Sequence, residues 1–426
     1  MTVWRFVVYA AVLVFGAPAV AAAQTSADEI LRELGALRAE VRQLRQELEA
    51  VKAQAPALEI VQTQLAEHAQ TKVESTSRFP LRVFGTIHAH AFANSAAPNW
   101  LDIPNLIGAP VTNPGTFSMG LRQTRIGLAG DGPTLGTVRT SGVVALDFFG
   151  GIPGFQTGQV MGLPRLLVAY ARFQGDRAAL QIGQDHMLLA PRDPTSLSGF
   201  AFPLLFRSGN LYLRAPHARA EYSLAPLLRV AGGIMAPIGG DLVGEDYRFV
   251  PPALGGERSR RPAVQARIEL GTPEADAPRR AAIAAAGHYG WERRPAGLVP
   301  SWAASVDFGA RRDMFGVAGE VFVGDNIDAF GGALGLDARA AGGWAELQLI
   351  PTARLSFQAG GGIDDVTDGR RAVLIRRRNR SAYGNVIVSL TPELQASFEY
   401  RWLATLPLAK SEQRNHHFDW VLAYKF

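Results

Sequence analysis

The chain has 426 residues, of which 47% are hydrophobic and 19% charged, and it contains no cysteine. The hydrophobic content excludes a disordered protein, and the lack of cysteine excludes cysteine catalysis, cysteine-bound zinc and a lipoprotein anchor. The net charge of +5 comes mainly from arginine. These arginines are scattered and do not form a stripe beside a helix-turn-helix or zinc pattern, so we expect no nucleic-acid binding.

Residues 1–23 have the features of a signal peptide. Arg5 supplies a short basic region, an apolar stretch follows from Phe6 to Phe15, and three alanines precede residue 24. The apolar stretch is too short for a membrane-spanning anchor, and no later apolar run reaches the ~20 residues of a transmembrane helix. We therefore expect an exported chain that can span a membrane only as a closed barrel.

Residues 24–78 are predicted to form a periplasmic coiled-coil segment followed by a hinge. Apolar residues recur there at alternating spacings of four and three, which is the pattern of a heptad seam. The seam consists of Ile30, Leu34, Leu37, Val41, Leu44, Leu48 and Val51. Acidic residues flank one side and basic residues the other, at the spacing that pairs neighbouring chains. The alternative is an amphipathic helix packed on its own domain. We favour a coiled coil that joins the copies of an oligomer.

Residues 79–426 are predicted to form an all-β domain, a transmembrane antiparallel barrel of about sixteen strands. Their polarity alternates in segments with the length of a tilted membrane strand, about 9–11 residues. The predicted strands lie near 80–92, 117–130, 135–149, 164–174, 178–186, 214–224, 227–236, 262–270, 280–292, 300–310, 313–323, 340–350, 353–362, 382–391, 394–403 and 416–426. Short turns alternate with long connections, which is typical of membrane barrels. A secreted β-sandwich is the alternative, and it has no need of that alternation.

The polar face of each strand is predicted to line a wet lumen, because a charge that faces lipid at mid-depth costs about 2–4 kcal/mol. In strand 117–130 the apolar positions change from odd to even numbers along the strand. A β-bulge around Gln123 and Thr124 would explain this change, and it would point both Arg122 and Arg125 inward.

The last strand has aromatic residues on one face and ends with Tyr424 and Phe426, two positions apart. This ending resembles the terminal strand of bacterial outer-membrane barrels, in which it is the signal for the barrel-assembly machinery. The resemblance implies that Tyr424 and Phe426 form the assembly signal.

The segments 121–128, 180–185 and 214–222 resemble strand motifs of the DcaP-like porins. The layout is similar as well, with a signal peptide, a coiled coil, a sixteen-strand barrel and a terminal aromatic residue. The resemblance implies a homotrimeric outer-membrane channel for dicarboxylates or other small anions. It does not identify the solute.

A sixteen-strand barrel is wide enough for an aqueous channel, so its selectivity depends on the charges at its constriction. We expect the third long loop, 187–213, to fold inward, the alternative being an outward lid or a subunit contact. The candidate pore-lining residues are Arg82, Arg122, Arg125, Arg139, Asp147, Arg172, Arg192, Asp193, Arg207, Arg219, Glu221 and Arg267. Arg122, Arg125 and Arg139 are expected to form a cluster on neighbouring strands. Guanidinium groups bind carboxylate and phosphate in a bidentate manner, which favours anions.

The remaining features carry less information. His88 and His90 share a strand face, but no third ligand has a recognisable spacing, so no metal site or cofactor is predicted. No nucleophile motif suggests an enzyme. Six arginines between 370 and 380 are predicted to form a loop patch that steers anions or binds lipopolysaccharide phosphates. We interpret the protein as an anion-preferring porin with outer-membrane lipid and lipopolysaccharide as neighbours; the alternative is a barrel that tethers the envelope.

Overall fold

The computed structural model describes residues 80–107, 115–151, 162–238, 253–272, 279–368, 376–408 and 411–426. The predicted signal peptide and the predicted coiled coil, including its seven seam residues, lie outside these ranges. No helix in the described part of the chain is both long and apolar enough to cross a membrane.

Seventeen strand segments form a single antiparallel sheet in which every segment has a hydrogen-bonded neighbour on each side. In chain order they are β1 Leu81–Asn94, β2 Thr116–Gly120, β3 Arg125–Asp131, β4 Arg139–Asp147, β5 Arg165–Gln174, β6 Ala178–His186, β7 Arg214–Ala225, β8 Leu228–Met235, β9 Ala263–Gly271, β10 Arg279–Arg294, β11 Gly297–Arg312, β12 Phe315–Asp325, β13 Arg339–Thr352, β14 Leu355–Val366, β15 Arg376–Ser389, β16 Leu394–Pro407 and β17 Gln413–Lys425. A four-residue helix, α1 Gly255–Arg258, precedes β9, and two 3₁₀ turns, Asp328–Phe330 and Gly332–Gly335, follow β12.

The sheet closes because β1 pairs with β17 on one side and with both β2 and β3 on the other. β2 and β3 are therefore two parts of one strand, and the barrel has sixteen strands, which confirms the predicted number. The break between them lies where the bulge was predicted. It is larger than a one-residue bulge, since residues 121–124 form a turn in which the Thr124 N–H donates to the carbonyl of Leu121 at 2.9 Å.

Side chains alternate between the two faces of the barrel wall, as the period of a β-strand requires. In β17, Trp420 and Leu422 are each 47% exposed, whereas Asp419 and Ala423 are almost fully buried. An outer surface of apolar and aromatic groups around a polar interior is the arrangement of a barrel that spans a lipid bilayer.

The ends of the barrel differ. At one end, which we call the short-turn end, tight turns connect the strands, and β1 begins and β17 ends there. The other, the long-loop end, carries most of the longer connections, including 187–213 between β6 and β7. One connection was predicted too long: the segment 293–299 lies largely within β10 and β11, and residues 295–296 suffice to join them.

The predicted basic loop patch also needs correction. β15 begins at Arg376, six residues before the predicted strand, so the arginines from 376 to 380 lie on the barrel wall. Arg378 pairs with Asp365 of β14 at 2.7 Å, and Arg380 pairs with Glu412. These ion pairs let charged residues continue the strand beyond the apolar band. Arg370 and Arg371 lie outside the described residues.

Candidate functional site

The loop 187–213, which we call the inward loop, lies inside the barrel as predicted. At its start, the N–H groups of Leu188 and Leu189 donate to the Gln265 side-chain oxygen of β9, at 2.7 and 3.3 Å. Farther along, the side-chain oxygen of Gln123 accepts the N–H groups of Phe200 and Ala201 at 2.8 and 2.9 Å. Since Gln123 lies between β2 and β3, the loop crosses from one wall of the lumen to another.

Buried carboxylates on the wall hold this loop in place. Glu346 accepts the N–H of Thr195 at 2.7 Å, and Glu399 accepts the hydroxyl of Ser196 at 2.6 Å. Two more carboxylates, those of Asp307 and Glu320, also bind the loop. A buried backbone N–H must find an acceptor, and a loop without its own secondary structure takes these acceptors from the inner face of the barrel.

Apolar contacts support the same arrangement. Leu189 and Leu211 of the inward loop belong to a buried cluster with Phe330 and Leu334, which lie in the two 3₁₀ turns after β12. A second buried group joins Leu204 and Leu205 to aromatic residues of β13 and β15. The loop thus fills much of the lumen beside β10 to β17.

A cavity of about 340 Å³ remains between the start of the inward loop and the wall formed by β5 to β9. We call it the lumen cavity. Five arginines and two glutamates supply its charged lining; they are Arg172, Arg177, Arg219, Arg229, Arg267, Glu221 and Glu269. Basic groups therefore outnumber acidic groups around this space.

Each glutamate of the lumen cavity lies between two arginines. The guanidinium of Arg172 donates to both carboxylate oxygens of Glu221, at 3.2 and 2.8 Å, and Arg219 lies 3.1 Å from the same carboxylate. In the same way, Glu269 pairs with Arg267 at 3.0 Å and with Arg229. Arg219 and Arg267 also pair with Asp185 and Asp307, and the basic side chains that line the cavity still outnumber the acidic ones. Arg177 forms no ion pair with any residue of the described ranges.

Several predicted pore-lining residues meet at this cavity. Arg172, Arg219, Glu221 and Arg267 line it, and Arg192 and Asp193 follow the loop residue Pro191, which also lines it. Their role in solute passage stays a prediction.

The sequence-based candidates did not include Arg177 and Arg229. Arg229 lies opposite Glu269 on inward-facing positions of β8 and β9. The two-residue period that indicates an inward Glu269 could also have found Arg229. Arg177 lies in a turn, where that period gives no signal.

The expected cluster of Arg122, Arg125 and Arg139 does not exist. Arg125 is opposite Asp147 in the register of β3 and β4. Arg139 therefore lies eight positions away along β4, about 26 Å at 3.3 Å per residue. The predicted grouping considered neighbouring strands without their register, which places the two arginines at opposite ends of the hairpin.

Arg122 and Arg125 point inward but contact loops. Arg122 donates to both oxygens of the buried carboxylate of Asp102, with Nε to Oδ2 at 2.6 Å. The guanidinium carbon of Arg125 lies 3.8 Å from the ring centre of Phe200, and the group donates to the Phe200 carbonyl. Neither guanidinium faces the lumen cavity.

The other candidates are dispersed. Asp147 is fully buried and accepts two hydrogen bonds from Arg165, at 3.0 and 2.6 Å. Arg207 is buried and donates to the side chain of Asn105 at 3.3 Å. Arg82 is exposed near the start of β1 at the short-turn end.

Asp193 lies on the inward loop between Arg192 and Pro194, and its side chain is exposed.

The histidines of β1 serve structural contacts. The Nε2 atom of His88 lies 2.7 Å from the carbonyl of Leu197, and Nδ1 of His90 lies 3.2 Å from the carboxylate of Asp419. Among the described residues there is no group of three or more side chains that could hold a metal ion.

Phe426 closes the seam between the first and last strands. Its backbone exchanges two hydrogen bonds with Gly85, at 3.0 and 3.1 Å. Tyr424 and Phe426 are 46% and 49% exposed on the outer face. Their role as an assembly signal stays a prediction.

No protein-family model matches the chain, and no curated protein matches it. Among solved structures, the outer-membrane channel DcaP of Acinetobacter baumannii aligns with 82% of this chain and 97% of its own, with a TM-score of 0.64 and 14% identity. The anion-selective porin of Comamonas acidovorans aligns with 82% of this chain and 100% of its own, with a TM-score of 0.54 and 10% identity. OprB of Pseudomonas putida covers 81% of this chain and 94% of its own, with a TM-score of 0.52 and 10% identity.

These similarities concern the fold. The resemblance to DcaP-like porins that the strand motifs indicated is confirmed at that level, because DcaP and other porins share the barrel at low sequence identity. At such identities the activity of a neighbour does not pass to this chain without an argument from its own residues.

Proposed function

We propose that the protein is an outer-membrane porin that passes small hydrophilic solutes and prefers anions. The observation that carries this proposal is the lumen cavity, in which five arginines face two glutamates beside an inward loop. The barrel fold, shared with outer-membrane channels, supports the location and the class of function.

The mechanism is diffusion through a constriction whose charges bias entry. The inward loop narrows the lumen, so a solute passes close to the guanidinium groups of β5 to β9. These groups keep their charge at any physiological pH, and a low-dielectric wall strengthens their attraction for an anion. Each glutamate already accepts hydrogen bonds from arginines. A passing carboxylate therefore competes with the glutamates for the arginines of the lumen cavity, and no isolated charge traps it.

Dicarboxylates are the class of solute that best fits the arginines of the lumen cavity. Arg172 and Arg219 flank one glutamate, and Arg229 and Arg267 flank the other, so both guanidinium pairs lie within the five adjacent strands β5 to β9. A small molecule with two carboxylates can engage both pairs as it passes. We propose that this transport requires no cofactor.

The proposal includes an assembly. The coiled-coil segment 24–78 would register three copies, and the barrel-assembly machinery would recognise Tyr424 and Phe426. At the long-loop end, Arg378, Arg380 and Arg414 lie outside the apolar band and would contact phosphates of lipopolysaccharide. Residues 1–23 would direct export.

Two other function classes compete with the channel. A tethering barrel would need a cell-wall-binding domain, for which the segment 24–78 is short, and it would not need a charged lumen. An enzyme would need a nucleophile beside a base. The basic lumen cavity favours the channel over both.

The test is the reversal potential of the purified protein in planar bilayers under a KCl gradient. We expect chloride preference, and we expect it to weaken in Arg172→Gln/Arg219→Gln. Arg354→Gln is the matched control because Arg354 is an exposed arginine in the turn between β13 and β14, outside the lumen cavity. Potassium preference in the wild type would overturn the anion assignment. A lack of conductance would favour the tethering barrel or the enzyme over the channel.

A further inference from the structure

The ion pairs of the lumen cavity become fewer toward its short-turn end. Arg219 and Arg267 lie well inside β7 and β9, and each has two carboxylates within ion-pair distance, at 2.5 to 3.7 Å. Arg172 and Arg229 lie closer to the short-turn ends of β5 and β8, and each pairs with one carboxylate. The positive charges of the lining are therefore less compensated as the cavity approaches the short-turn end.

Two arginines continue this series at the short-turn end itself, and we call them the arginine mouth. Arg177 lies in the turn between β5 and β6 and lines the lumen cavity. Arg139 is the first residue of β4 and is exposed. Within the described ranges, neither guanidinium has a hydrogen-bond or ion-pair partner. Both positive charges are therefore uncompensated by the residues that the structure describes.

The register of the wall places Arg139 beside the cavity. Arg139 is opposite Gln174 in the pairing of β4 and β5. The side chain of Gln174 lines the lumen cavity and accepts hydrogen bonds from Arg172, at 3.2 and 3.0 Å. Residues directly opposite each other on neighbouring strands share a face, with Cβ atoms about 4.5–5.5 Å apart. Arg139 therefore extends the basic lining from β5 to β4 at the level of the short turns.

A paired and an unpaired arginine differ in what they offer to a solute. The guanidinium of Arg172 binds both oxygens of Glu221, so its charge is compensated and part of its N–H donors are occupied. An unpaired guanidinium keeps its full charge and all five N–H donors. In about 0.1 M salt such a charge acts over about 10 Å. The attraction of the lumen cavity for anions is therefore concentrated at the arginine mouth.

We propose that the arginine mouth determines the anion preference of the channel and binds the carboxylate of a solute at the short-turn end. This inference rests on the proposed function and assigns its specificity to two residues. The paired arginines deeper in the lumen compensate the carboxylates around them, and removing one of them exposes a carboxylate. Removing Arg139 or Arg177 exposes none, so the effect of either charge on selectivity can be measured alone.

The test uses cysteine variants, because the chain contains no cysteine and each variant then has a single thiol. Arg139→Cys and Arg177→Cys are measured as full-length protein in planar bilayers under a KCl gradient, before and after reaction with methanethiosulfonate reagents. The reagents attach a positive trimethylammonium group, a negative sulfonate group or a neutral methyl group. We expect the chloride-to-potassium permeability ratio to fall several-fold in each variant, to recover with the trimethylammonium group and to fall further with the sulfonate group. The neutral group should leave the ratio of the unmodified variant unchanged.

Arg312→Cys is the matched control. Arg312 is the last residue of β11 at the same end of the barrel, but it is opposite Phe315, which is 64% exposed on the outer face. The barrel wall separates Arg312 from the lumen, so none of the three reagents should shift the reversal potential of this variant.

Succinate is the probe for solute binding. It is added to the KCl solution, and its inhibition of the chloride current is compared between two modified forms of Arg177→Cys. Inhibition should require several-fold more succinate in the sulfonate form than in the trimethylammonium form, because only the latter restores a positive charge at the arginine mouth.

The outcomes separate this inference from the proposed function. A wild type without chloride preference overturns the proposed function, and the arginine mouth fails with it. If the wild type is chloride-selective and the three reagents give the same permeability ratio in Arg139→Cys and Arg177→Cys, only the arginine mouth is overturned. Equal shifts in Arg312→Cys assign the effect to the general charge of the short-turn end, and equal inhibition by succinate places the carboxylate site elsewhere. The reagents are compared on the same folded variant, so these results do not depend on folding yield.

Discussion

The Nε atom of Arg192 lies 2.5 Å from Oδ1 of Asp307, so that a side chain of the inward loop is bound to a fully buried carboxylate of β11. Asp307 also accepts two hydrogen bonds from Arg267, at 2.5 and 2.9 Å. Arg267 in turn contacts Glu269 of the lumen cavity. One carboxylate therefore connects the position of the inward loop to the charged lining of the cavity.

Replacing that carboxylate should release the loop. Asp307→Asn removes a negative charge that compensates two guanidinium groups, and breaking a buried pair from one side costs about 3 kcal/mol. We expect a lower unfolding temperature and a larger, noisier single-channel conductance. Asp131→Asn, at an exposed end of β3, is the control and should change neither. A variant with wild-type conductance would show that Asp307 does not determine where the loop lies.

Arg122 should matter for stability and not for selectivity. It is bound to Asp102, a carboxylate that is 1% exposed, and it lies away from the lumen cavity. Arg122→Gln leaves Asp102 buried without its charged partner, which costs about 3 kcal/mol. We expect a lower unfolding temperature with an unchanged reversal potential. Arg219→Gln should show the opposite pattern. If Arg122→Gln shifts the reversal potential as much as Arg219→Gln, the solute path runs near β2 and β3.

The barrel could be predicted from the sequence because each strand alternates between residues suited to lipid and residues suited to the lumen. A strand such as β17 alternates aromatic and polar residues, and that alternation is visible without any partner. Strand ends were less certain where ion pairs extend a strand past the apolar band, as Arg378 and Asp365 do. There the residues look like a loop, and only the pairing of neighbouring strands shows that they continue the wall.

The candidate site was predicted less completely because its members come from register and from loop contacts. Parity indicates that Arg122, Arg125 and Arg139 face inward, but it does not say at which depth. The partner of Arg122 is Asp102, in a segment between β1 and β2 that has no period. Arg172 and Glu221 meet across β6, a contact that needs the alignment of three strands. No local pattern contains such an alignment.

The seam between β1 and β17 gives the last prediction. A Cβ atom on Gly85 would lie 2.5 Å from the ring of Phe426 and 2.6 Å from the carbonyl oxygen of Arg125. Gly85→Val should therefore push the terminal residue away from β1 and weaken closure, at a cost of about 1–3 kcal/mol for overpacking. We expect less folded, heat-modifiable barrel on gels run without boiling.

The matched control for that seam is Gly142→Val on β4, where the nearest atom to an added Cβ is the Tyr170 carbonyl oxygen at 3.7 Å. Valine there meets only ordinary contacts, and the folded fraction should equal that of the wild type. Phe426→Ala keeps Gly85 and removes the ring, which separates packing at the seam from the bulk of valine. If Gly85→Val folds as well as Gly142→Val, the close contact between Gly85 and Phe426 does not limit closure of the barrel.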